Sequence, residues 1–329
     1  MDKLKEIVWG VIGGGNVCEK KSVPAMYKLP HSRVKTVMRR DQDACRSFAT
    51  RHKIPVWTTD DNEIFHDPEI CAVYISTPPD THAYYAIKAA HAGKAVYVEK
   101  PMARDYHECK TMISACLKAN VPLFVAYYRR ALPHFLRIKE MMLHDDLGQI
   151  RSFEINFYRS PRPEDLKHQE KNWRVQPEIS GGGHFHDLAS HQLDLMDYFF
   201  GPLIDLQSET QNRAGLYRPA DYVKAELIFR HGIKGYGTWD FACAMPDIKD
   251  EIIIRGEKGQ IKFSTFAHGR IEGVSANLGQ ISEEYVLPDH IQMPLIRTII
   301  SQLRGEGTCP STGETAARTS DVLDRICGQ

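Results

Sequence analysis

Along the first 126 residues, short apolar runs alternate with stretches of helical periodicity. Ile7 to Ile12 is an apolar run that ends in Gly13-Gly14-Gly15, and a helical pattern follows through Met26. Further strands are predicted at 34–38, 55–57, 71–76, 95–98 and 121–126, with helices over 41–52, 61–65, 81–92 and 106–118. Pro78-Pro79 stops the fourth strand, and Gly93 is a helix stop of the usual kind. Strands alternating with helices in this way predict a doubly wound parallel sheet with right-handed crossovers.

After a helix over 132–143 the texture changes to longer strands at 150–159, 223–230, 234–241, 251–255, 260–264 and 285–287. Gly256-Glu257-Lys258-Gly259 reads as a hairpin turn between two of them. One apolar helix over 188–200 sits among them, and helices over 291–303 and 314–326 are expected to pack back on the body. Many strands around few helices predict an α+β domain with a large open, mostly antiparallel sheet. The expected division is 1–126 and 127–329, with the fold class α/β. No repeats, low-complexity runs or long linkers interrupt it.

Composition narrows the function classes. Forty-two basic residues balance forty-two acidic ones, so net charge gives no reason to expect nucleic acid or an anionic membrane as partner. No apolar stretch approaches the roughly 20 residues of a membrane span. The eight cysteines include no CxxC pair, which favours reduced thiols in a cytoplasmic protein.

Candidate chemistry begins where the first strand ends. Gly13-Gly14-Gly15-Asn16-Val17-Cys18 fits G-x-G-x-x-G except at Cys18, and its backbone amides would approach a pyrophosphate at a helix N-terminus. Gly13, Gly15, Asn16 and Val17 are the cofactor candidates there; a plain glycine turn is the bland alternative. An NAD site places Asp or Glu at the end of strand two, whereas here Met38 is followed by Arg39-Arg40. Two guanidiniums suit a 2′-phosphate and favour NADP over NAD, with Asp41 as a misregistered acid in the opposite reading. Thr77, Pro78 and His82 end strand four and would lie along the nicotinamide ribose, unless they serve only as a turn and helix cap.

Glu99-Lys100-Pro101 closes strand five. Ligands bind outside the carboxyl ends of strands in open α/β sheets, and Pro101 restrains where Lys100 points. Lys100 there suits proton transfer or alkoxide stabilisation. Downstream, Asp187, His191 and Asp194 share one helix face at i, i+4 and i+7, following Gly181-Gly182-Gly183. His184, His186 and His191 lack the spacing of a metal site, and none is expected. Trp173-Arg174 and Tyr128-Arg129 set aromatics beside arginines, as cofactor and substrate contacts respectively or as plain packing.

In order and spacing, these motifs resemble the Gfo/Idh/MocA oxidoreductase family over nearly the whole chain. The resemblance implies a Rossmann domain holding NAD(P), then a domain whose open sheet forms a homodimer or homotetramer interface. It places the family's catalytic lysine at Lys100 and its aspartate and histidine at Asp187 and His191. Two departures stand out: Pro79 where the family has asparagine, and Ala189 where it has glycine. His184 and His186 replace aliphatic positions, and His184 joins Lys100, Tyr128, Arg129, Asp187 and His191 as a substrate-binding candidate.

The expected reaction is hydride transfer between nicotinamide and a secondary hydroxyl or carbonyl of a sugar, sugar derivative or polyol. His191 would move the hydroxyl proton, Lys100 stabilise the alkoxide and Asp187 orient the substrate. The alternatives are a glycosidase working by transient oxidation and elimination on a retained nicotinamide, and a cofactor-binding regulator without turnover.

Overall fold

The computed structural model describes residues 4–167 and 172–328. By backbone contacts the chain forms two units, the first of residues 1–131 and 288–317, the second of 132–287 and 318–329. The expected division lies at 126/127 with the C-terminal helices packing back on the body; residues 288–317 group with the first unit.

The first unit holds a six-stranded sheet of β1 (Ile7–Ile12), β2 (Ser32–Met38), β3 (Val56–Thr58), β4 (Ala72–Ile75), β5 (Ala95–Val98) and β6 (Leu123–Val125). The order is β3-β2-β1-β4-β5-β6, parallel throughout. Alternate residues supply opposite faces, so Val73, Ile75, Val96 and Val98 pack with Ala86, Ala89, Cys109 and Met112 of helices His82–His91 and Tyr106–Lys118. On the other face Trp9, Tyr74 and Tyr97 are fully buried. Strand order reverses between β1 and β4, the topological switch at which such sheets bind ligands. The outer strand β6 is covered by the returning chain: Phe124 bridges Thr312, and the Ser311 hydroxyl donates to the Val125 carbonyl at 2.7 Å.

The second unit is built on an eight-stranded sheet of β7 (Ile150–Tyr158), β8 (Leu203–Gln211), β9 (Tyr222–Phe229), β10 (Lys234–Asp240), β11 (Lys249–Gly256), β12 (Gly259–Phe263), β13 (Arg270–Ser275) and β14 (Gly279–Glu284). Its order is β14-β13-β12-β11-β7-β10-β9-β8, with only β7 and β10 parallel. Helix Gly183–Phe200 covers its inner face: Phe185 stands edge-on to Trp239, Phe200 stacks on Phe153, and the Trp239 indole donates to Gln192 at 2.6 Å.

Three strands escaped the periodicity reading. The edge strand β8 is largely exposed along its length and β14 nearly so, so neither shows apolar alternation; β13 lies beside β14. Residues 285–287, expected as a strand, lie beyond the end of β14 and form none. The expected helix over 188–200 starts five residues earlier, at Gly183.

Candidate active site

Three turns at the carboxyl ends of β1, β4 and β5 are tied to one another. Gly13 takes φ +122°, and a Cβ there would lie 2.9 Å from the Ser76 carbonyl, so only glycine lets the first turn approach β4. The Gly14 amide donates to the Ser76 hydroxyl at 3.3 Å. Cys18, at the third glycine position, is buried with Sγ 3.0 Å from the same hydroxyl, and burial raises its thiol pKa to about 11. From Cys18 to Ser22 the chain is π-helical before helix Val23–Lys28.

His82 joins the second turn to the third. Its Nε2 lies 2.8 Å from the Thr77 carbonyl, and its Nδ1 is 3.1 Å from that of Pro101 and 3.3 Å from that of Met102. Burial lowers the pKa of the ring, and the carbonyls and Glu99 oppose this only in part. The neutral ring therefore donates one N–H, at one of these contacts only.

Lys100 follows β5, half-buried, before a cis bond to Pro101. Beneath it, Glu99 is 7% exposed and fully engaged. Oε1 accepts the Tyr74 hydroxyl at 2.7 Å and Gln292 Nε2 at 2.6 Å, and Oε2 accepts the Lys100 amide at 3.2 Å. The Tyr97 hydroxyl donates to Gln292 Oε1 at 2.8 Å. Burial, then the Glu99 charge, pushes both tyrosines well above the usual phenol range, which keeps them donors.

Gly13, Gly15, Arg39, Arg40, Asp41 and Thr77 are among the residues that line one cavity. A Cβ on Gly15 would meet nothing within 4 Å, so that turn is open to a ligand. Arg39 donates to the Gly14 carbonyl at 2.9 Å, and Arg40 is exposed. Asp41 is the N-cap of helix Gln42–His52 and accepts the Ala44 amide at 2.9 Å. A dinucleotide fits this cradle: the glycine turn is open at Gly15, and Arg39, Arg40 and Asp41 line the end of β2. Tyr128 and Arg129 are both buried in this unit, the guanidinium 4.8 Å from the ring centroid.

In the second unit, Asp187 and His191 lie one turn apart in helix Gly183–Phe200. The Asp187 carboxylate is 3.3 Å from Arg174 Nε, an ion pair off the ideal hydrogen-bond line, and Arg174 stacks over Trp173 at 4.4 Å. His191 is 3% exposed, with Phe266 edge-on at 5.7 Å. Asp194 is buried, with the Thr319 hydroxyl at 3.5 Å. His184 Nε2 reaches both oxygens of buried Asp165 at 2.9 Å. The His186 ring packs on the Cα of Gly182, 3.9 Å from Asp324.

Comparison with known proteins decides the family. Residues 7–127 match the oxidoreductase family with an NAD-binding Rossmann fold, and 135–262 match the GFO/IDH/MocA C-terminal domain. Oxidoreductase P35 of Formosa agariphila is 39% identical, over 98% of each chain. The chain belongs to the GFO/IDH/MocA oxidoreductase family. Levoglucosan dehydrogenase of Pseudarthrobacter phenanthrenivorans is 26% identical over 86% of this chain and 75% of that protein. A levoglucosan dehydrogenase solved in complex with NADH shares the fold, with a TM-score of 0.86, 22% identity, and 98% and 96% of the two chains covered.

As a GFO/IDH/MocA member, the protein is an oxidoreductase with an NAD-binding Rossmann domain. Its departure at Pro79 opens a single 3₁₀ turn, Pro79–Thr81, ahead of helix His82–His91. Three residues around these groups went unread in the sequence: Tyr74, Gln292 and Asp165. Tyr74 looked like any buried strand residue, and Gln292 comes from 193 positions beyond Glu99. Asp165 lies between the expected strand over 150–159 and the expected helix over 188–200, where no element was read, and part of that segment falls outside the described residues. No helix among the described residues is long and apolar enough to cross a membrane.

Proposed function

We propose that the protein oxidises, reversibly, a secondary hydroxyl of a sugar, sugar derivative or polyol. The observation that carries this reading is the close packing of the three turns, with His82 between the second and the third, which sets Lys100 on the same sheet edge as the glycine turn. The levoglucosan dehydrogenase relative supports a sugar as substrate class.

Bound nicotinamide would supply the hydride acceptor or donor. The amides of Gly13 to Val17 hold the pyrophosphate, with Asn16 and Val17 opening the helix, and Thr77 and Pro78 lie along the ribose. Trp173 and Arg174 are further cofactor contacts in this reading. Glu99 and His82 act from behind, one under Lys100 and one between the turns. In the oxidation direction His191 takes the hydroxyl proton, Lys100 stabilises the developing alkoxide and Asp187 orients the substrate. Tyr128, Arg129 and His184 complete the substrate set, His184 through Asp165. Arg39 and Arg40, which line the cavity at the end of β2, favour NADP.

The outer face of the second sheet exposes Ile204, Ile228, Tyr236 and Val274, which supports self-association through that face. The eight cysteines are all free, which fits a cytoplasmic setting.

A panel of sugars and polyols, each assayed with NAD and with NADP, tests the reading by absorbance of the reduced nicotinamide. Stoichiometric reduction with at least one sugar is expected. Release of an aglycone from glycosides without added cofactor, and no absorbance change in the panel, would replace it with the elimination mechanism.

A further inference from the structure

Beside Asp187, the second unit carries cationic and hydroxyl donors that the proposed proton chemistry does not use. Arg159 follows β7 directly, and its backbone is fixed: its amide donates to the Asp240 carbonyl at 2.8 Å, and its carbonyl accepts the Cys243 amide at 3.3 Å. The side chain is half-buried, among Arg162, Asp165, Asp187 and Tyr217. Neither the Arg159 nor the Arg162 guanidinium has a hydrogen bond or ion pair among the described residues. Burial first, and the neighbouring Arg162 second, lower the pKa of Arg159 from the usual guanidinium value.

The carboxylates nearby are already engaged. Asp165 is 1% exposed and accepts from His184, from Asn172 at 2.7 Å and from the Arg162 amide at 2.9 Å. Asp187 is paired with Arg174. The guanidiniums of Arg159 and Arg162 thus stand unspent among the described residues, beside carboxylates that already have partners.

Tyr217 adds a neutral donor. It is 6% exposed, its ring stands edge-on to His184 at 5.4 Å, and its hydroxyl has no partner among the described residues. Burial, then Asp221 and Asp165, raise its pKa, so the phenol keeps its proton. Asp221 and Asp240, also among its neighbours, accept backbone amides, Asp221 from Arg213 and Ala214 at 2.7 Å and Asp240 from Ala242 at 2.9 Å. A buried donor left unmatched is costly, which points to an acceptor that arrives with the ligand.

We propose that Arg159 and Tyr217 form a subsite for a carboxylate of the substrate, so that the enzyme acts on a sugar acid in preference to a neutral sugar. The inference rests on reading Asp187 and His191 as part of a sugar site. A planar carboxylate matches the guanidinium fork, and its remaining lone pairs can accept the Tyr217 phenol.

The test compares kcat/KM for D-glucuronate and D-galacturonate with D-glucose, D-galactose and glucose 6-phosphate, at saturating cofactor. A uronate should exceed its neutral counterpart by about 10-fold or more, and Arg159→Gln should cut that ratio by about 10- to 100-fold. Tyr217→Phe, which removes only one oxygen, should cut it by about 3- to 10-fold. A wild-type ratio at or below one, or a ratio indifferent to both substitutions, overturns the subsite while leaving the sugar reading intact. Preference for glucose 6-phosphate, lost in Arg159→Gln, overturns the carboxylate in favour of phosphate. If nothing is turned over, the sugar reading fails, and calorimetry of D-glucuronate binding decides the subsite alone. Binding weakened by Arg159→Gln supports it, and no binding to the wild type overturns it.

Discussion

Gln292 donates to Glu99 across 193 positions of sequence, its Nε2 2.6 Å from Oε1, and both side chains are buried. The amide spends its other end on the Tyr97 hydroxyl, so one side chain satisfies two buried groups under the residue that precedes Lys100. Gln292→Leu keeps the volume, strands the Tyr97 hydroxyl and leaves Glu99 Oε1 with the Tyr74 hydroxyl. A buried group left unmatched costs roughly 1–3 kcal/mol, so the unfolding free energy should fall by about that much in urea titrations. Turnover should fall as well, because the Glu99 carboxylate that accepts the Lys100 amide loses a restraint. A variant as stable as the wild type would mean that water replaces the amide.

Lys100→Ala and His191→Ala separate the proposed chemistry from binding. Positioned acid–base groups contribute about 10²–10⁴-fold, and each variant should lose turnover in that range. Cofactor affinity, read by quenching of protein fluorescence, should change little in His191→Ala. Turnover close to normal in both would remove these residues from the mechanism.

Cofactor choice rests on the end of β2. Arg39 is held against the Gly14 carbonyl, and Asp41 is committed to its helix cap. Replacing Arg39 and Arg40 together by alanine should lower the kcat/KM ratio of NADP over NAD by about 10-fold or more, the scale of losing charge-assisted contacts. An unchanged ratio would show that the pair is a solvated surface feature.

What the sequence showed follows burial. The six parallel strands were readable because each is apolar, bounded by turn residues and separated by helices, and Gly13, Lys100, Asp187 and His191 sit at motif positions. The edge strand β8 was not readable, because an exposed strand carries no apolar alternation. The supporting partners were hidden for a different reason. A glutamine or tyrosine that answers a distant carboxylate leaves no local pattern, and Gln292, Tyr74 and Asp165 become meaningful only once the chain has folded back.

Asp165 gives the pH dependence its sign. Burial alone would raise its carboxyl pKa, but the His184 hydrogen bond and charge, with the Arg162 amide and charge, bring it below the usual carboxylate value. A depressed folded pKa means that the unfolded chain binds the proton more readily. The stabilisation is therefore complete above the unfolded carboxylate pKa of about 3.9, and it is lost as pH falls below that value through the folded one. Asp165→Asn removes this titration while keeping an acceptor for Asn172 or His184. Its unfolding free energy should be lower than wild type at pH 7, and the gap should narrow as pH drops below about 4. Denaturant titrations across that range provide the check; a gap of constant size would mean that the carboxylate is not the group holding the His184 end of the helix.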